Sequence, residues 1–87
     1  MFFPATTVLN DTQVPVWVDV VPTGGKPHPQ EVKPGLSLIG PYRVSRVAGI
    51  YIGPTPEHIR RYEPTKFCKR DASGCLINVS TIQGASS

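Results

Sequence analysis

The sequence predicts an all-β fold: a small antiparallel β-sandwich or partly open barrel of about five or six strands, with one short helical turn. Three observations carry that expectation. The 87 residues include 10 prolines and 8 glycines, about twice the usual share of proline, which favours short strands joined by rigid loops over helices. The run VPVWVDVV alternates valines with other residues at period two, the spacing of a half-buried strand. The other apolar residues fall in short runs bounded by Gly, Pro, Asn and Asp, which punctuate strands.

Taken in order, residues 1–7 read as an N-terminal arm, residues 8–83 as a single β domain and residues 84–87 as a tail. In the arm MFFPATT, Pro4 favours an extended chain and Phe2 and Phe3 stand ahead of the main domain. They are candidate anchors on a neighbouring subunit, the alternative being that they fold back over one end of the core. Thr6 to Leu9 reads as a first short strand, and Asn10-Asp11 supplies turn chemistry.

In the second strand Val14, Val16, Val18 and Val20 share one face, and Pro15, Trp17 and Asp19 take the other. Pro15 has no amide donor, so the strand lies at a sheet edge or that position stands outside the ladder. Trp17 reads either as part of a second packing layer or as an exposed aromatic anchor for a partner. The stretch PTGGKPHPQEVKPG then holds four prolines and three glycines in 14 residues and reads as a stiff loop.

Leu36 to Ile39 reads as the next strand, and YRVSRVAGIYIG as the longest one. There Tyr42, Val44, Ala48, Ile50 and Ile52 share a face interrupted by Arg46, which calls for a bulge or for a face used as an interface. Gly49 points to a bulge or a close backbone approach. The helical turn is expected over residues 56–62, with Pro56 at its first position and Pro64 ending it. CKRDASGC reads as a hairpin connection between residues 66–68 and 75–77, leading into a last strand, CLINVSTIQ. In that hairpin Cys68 and Cys75 are candidates for a disulfide, which a reducing cytoplasm would keep open.

Chemistry-bearing patterns are sparse. Cys68, Cys75, His28 and His58 lack the paired spacing of zinc ligands. No Ser or Cys stands in a nucleophile-and-base setting, the carboxylates show no repeated spacing, and Gly24-Gly25 runs into Lys-Pro-His-Pro rather than a phosphate-binding helix. The expectation is a non-enzymatic protein without metal or cofactor. No apolar run reaches the length of a membrane-spanning helix and no secretory signal opens the chain, so synthesis in a host cytoplasm is expected.

The net charge of +3 is unevenly placed, since residues 41–87 carry seven basic against three acidic side chains. Arg43, Arg46, Arg60 and Arg61 lead that cationic half and are candidate partner contacts. Together these features favour a structural accessory protein of a large assembly, such as a virion component that decorates a capsid or completes a tail. Its partners would be other protein subunits, copies of itself included. The alternative is a soluble module that inhibits or regulates a host protein through Trp17 or the Pro-rich loop. A third reading, single-stranded nucleic-acid binding, rests on the basic residues interleaved with Tyr42, Tyr51, Tyr62 and Phe67.

Overall fold

The computed structural model describes residues 6–40, 42–70 and 74–85. They form seven strands in two sheets and one short α-helix. The strands are β1 (Thr6–Leu9), β2 (Val16–Pro22), β3 (Gln30–Val32), β4 (Ser37–Ile39), β5 (Val47–Gly53), β6 (Arg60–Tyr62) and β7 (Cys75–Asn78), followed by α1 (Val79–Ala85). The three-stranded sheet runs β4-β1-β7 and the four-stranded sheet β3-β2-β5-β6. The all-β class is therefore the observed one, and one pairing departs from an antiparallel pattern: β7 lies parallel to β1, with Val8 opposite Ile77.

A single valine- and isoleucine-rich core fills the space between the sheets. From the smaller sheet it takes Val8, Cys75 and Ile77; from the larger it takes Val16, Val18, Val20, Val32, Ile50 and Ile52. β-Branched side chains suit this role because they pack stiffly against a pleated surface.

Local chemistry explains where the elements start and stop. Val14 does not join the valine face. Its carbonyl accepts a hydrogen bond from Asn10 Nδ2 at 2.8 Å, its side chain is 60% exposed, and β2 begins only after Pro15. Pro15 thus stands outside the ladder of a central strand. Within the stretch read as a loop, Gln30–Val32 pairs with Val16–Val18 and buries Val32.

Arg46 leaves the apolar face because Val44–Arg46 is a 3-10 turn, in which Val44 is buried and Arg46 exposed. β5 then carries a bulge. Val21 faces Gly49 and Pro22 faces Val47, so Ala48 has no partner on β2. The extra residue flips the side-chain alternation, and Val47 rather than Ala48 joins Ile50 and Ile52 in the core. Arg61 secures the bulge: its guanidinium donates to the Ala48 carbonyl and to Glu63 Oε2, the latter at 3.2 Å. Gly49 leaves room for it, since a Cβ there would meet Arg61 Nε at 2.8 Å.

The helical turn expected over residues 56–62 forms only at Pro56–His58, and Arg60–Tyr62 returns as an edge strand along β5. Residues 66–68 and 75–77 do not make a hairpin: Pro64–Lys66 is a 3-10 turn, and β7 pairs with β1 instead. The last strand ends at Asn78, and Val79 and Ile82, three residues apart, turn their fully buried side chains to the core from one face of α1.

Candidate binding surfaces

The clearest concavity is a cleft of about 340 Å³ between the second half of β2 and the end of β4, overhung by the β2–β3 loop. β3 reaches only as far as Val18, so Asp19 to Pro22 present a strand edge with no neighbour on that side among the described residues. β4 is likewise an edge strand, paired with β1 alone. Asp19 and Val20 point to opposite faces of β2 yet both line the cleft, as do Leu38 and Ile39 of β4, so the cleft runs along the two edges.

Asp19 is the one acidic side chain of that lining and is only 9% exposed. Its Oδ2 accepts the backbone N–H of His28, which draws the loop against the strand. Lys26 and His28 face the cleft from the loop. By sequence alone Asp19 reads only as an outward position of an alternating strand. A lone carboxylate inside a valine run, followed by a Pro-rich segment bearing Lys and His, is the signal that marks it.

A second surface is the outer face of the smaller sheet. Thr7 stands between Ile39 on β4 and Leu76 on β7. Ile39 is 59% and Leu76 49% exposed, and Leu36, just before β4, is 58% exposed. Thr7 itself is buried at 1% exposure, so the exposed apolar side chains stand on either side of it, on strands that have no further neighbour among the described residues, and offer points for protein contact.

The residues singled out from the sequence are dispersed. Phe2 and Phe3 lie outside the described residues. Trp17 is half-buried on the outer face of the larger sheet, opposite Glu31 and Gly53, and Gly53 offers no side chain to cover it. Arg61 shares that face through Tyr51, whereas Arg60, the preceding residue on the same strand, points to the other. Arg43 precedes the 3-10 turn before β5 and Arg46 ends it, and both are exposed. The four arginines therefore make no single patch, and Arg61 is committed to the Ala48 carbonyl and Glu63. Of the interleaved aromatics, Tyr42, Tyr62 and Phe67 pack against the core.

Cys68 and Cys75 are joined by a disulfide, with their Cα atoms 6.1 Å apart. Among the described residues no group of three or more His, Cys, Asp or Glu side chains could hold a metal ion, and no helix is long and apolar enough to cross a membrane. The Asp11 carboxylate is tied to the start of α1. It accepts the Ser80 hydroxyl at 2.6 Å and the Ser80 backbone N–H at 2.8 Å, and these bonds hold its pKa below the ordinary 3.8.

The chain matches no family model, no curated protein and no solved structure.

Proposed function

We propose that this chain is a non-enzymatic structural module that docks on other protein subunits of a larger assembly. One observation supports the reading most directly: Ile39 and Leu76 stand about half exposed on either side of Thr7 on the outer face of the smaller sheet. A free monomer gains nothing from presenting these side chains to water, while a protein partner that covers them recovers the burial energy. The β4 and β7 edges beside them have no further strand neighbour among the described residues, so a partner strand can add there. The basic residues of the second half favour an acidic partner surface.

The finer version, a virion component that decorates a capsid or completes a tail, rests on the apolar arm with Phe2 and Phe3 and on composition. The test is association of the full-length protein, followed by light scattering after size exclusion and by co-sedimentation with the particle fraction of its source. The native chain should self-associate or sediment with that fraction, and Ile39→Glu combined with Leu76→Glu should release it as a folded monomer. A native chain that stays monomeric and in the supernatant sinks the proposal, as does a double variant that still assembles.

A further inference from the structure

We propose that the cleft beside Asp19 binds a small zwitterion, in which one apolar body carries both a protonated amine and a carboxylate, as in a free amino acid with an aliphatic side chain. A volume of about 340 Å³ lies at the small end of ligand sites. The shape favours a compact ligand over a peptide strand. A Cβ on Gly40 would meet Val20 Cγ1 at 2.6 Å, so the two strand edges converge there and leave no channel for an extended chain.

The polar groups set the ligand's charges. Asp19 is about nine-tenths buried, and among the described residues only its Oδ2 has a hydrogen-bond partner. Oδ1 is left to accept from whatever enters the cleft. A mostly buried carboxylate with open acceptor capacity is well completed by a cationic donor, and an ammonium brings three N–H groups to share between it and a strand edge. An amine alone, however, would lie near Lys26, and a carboxylate alone near Asp19. A ligand of both signs meets both residues favourably. Leu38, Ile39 and Pro22 supply the wall for its apolar part.

This inference shares Ile39 with the docking proposal, but its variants, at Asp19 and Lys26, leave that side chain and the outer face of the smaller sheet unchanged. ¹⁵N-labelled protein is titrated at neutral pH with L-leucine, with isoamylamine, which lacks the carboxylate, and with 4-methylpentanoate, which lacks the amine. Leucine should shift the amides of Val20, Gly40 and Tyr42 saturably, and each half-ligand should bind at least about tenfold more weakly. Asp19→Asn keeps an acceptor for the His28 N–H, and Lys26→Gln changes only an exposed loop position. Each should weaken leucine binding about tenfold. The proposal is overturned if leucine causes no saturable shift up to about 10 mM, if either half-ligand binds as tightly as leucine, or if either folded variant binds it like the native chain. Should Asp19→Asn fail to fold, Lys26→Gln and the half-ligands decide.

Discussion

Asn10 is fully buried, and every hydrogen-bonding group it has is used. Its Nδ2 donates to the carbonyls of Val14 and Val32, each at 2.8 Å, and its Oδ1 accepts from the N–H of Thr12 at 3.0 Å and from Thr12 Oγ1. Its backbone N–H donates to Leu36 O at 2.9 Å, and its carbonyl accepts from Gly35 N–H at 2.8 Å. One side chain thus joins the end of β1 in the smaller sheet to the approach of β2 and the end of β3 in the larger. Asn10→Ala leaves the buried Val32 carbonyl without this donor, and stability should fall by about 2–3 kcal/mol. Asn10→Asp should be no better, because it turns a second acceptor toward carbonyl oxygens. Urea denaturation of the three proteins measures this, and an alanine variant within about 0.5 kcal/mol of the native chain would show that the linkage contributes little. The Asn-Asp pair is visible in the sequence as turn chemistry. Its reach to Val32, 22 positions away, is not, because it depends on a sheet that only tertiary pairing creates.

At the scale of elements, α1 shows the same limit and has its own test. By sequence Val79 and Ile82 read with Leu76 and Ile77 as one strand, yet their spacing of three fits a helix, and both are fully buried. What starts the helix is distant in sequence: Asp11 accepts the Ser80 N–H and hydroxyl across 69 positions, as a capping side chain would. β3 escaped notice because Gln30 and Glu31 are exposed and only Val32 is buried, and the β7–β1 pairing because parallel neighbours leave no turn between them. By contrast β1, β2, β4 and most of β5 were legible, each carrying its own alternation or turn residues. Because the folded pKa of Asp11 lies below 3.8, its contribution to stability is present above that value and is lost as pH falls through the folded pKa. Asp11→Asn should therefore melt a few degrees lower at neutral pH, with the gap to the native chain closing below about pH 4. Thermal melts across pH 2–7 check this, and a gap that stays constant would show that the carboxylate charge is not what holds the helix.

For the molecule as a whole, the question is what keeps the two sheets from parting. β6 ends the larger sheet, the 3-10 turn at Pro64–Lys66 follows, and the Cys68–Cys75 disulfide fastens that crossover to the first residue of β7 in the smaller sheet. β7 needs the fastening because it is an edge strand, held by β1 on one side only. With the cysteines seven positions apart, the bridge closes a short loop and should contribute about 2 kcal/mol, chiefly by restricting the unfolded chain. Reduction, or replacement of both cysteines by serine, should lower stability by about that amount and should act first on β7 and α1. Amide exchange for Leu76 to Ile82 should then quicken more than exchange for Val18 or Ile50, which lie in central strands of the other sheet. Melting with and without reductant gives the total, and exchange read residue by residue gives its location. Uniform quickening over both sheets would mean that the disulfide acts on global unfolding alone and that the smaller sheet does not open by itself.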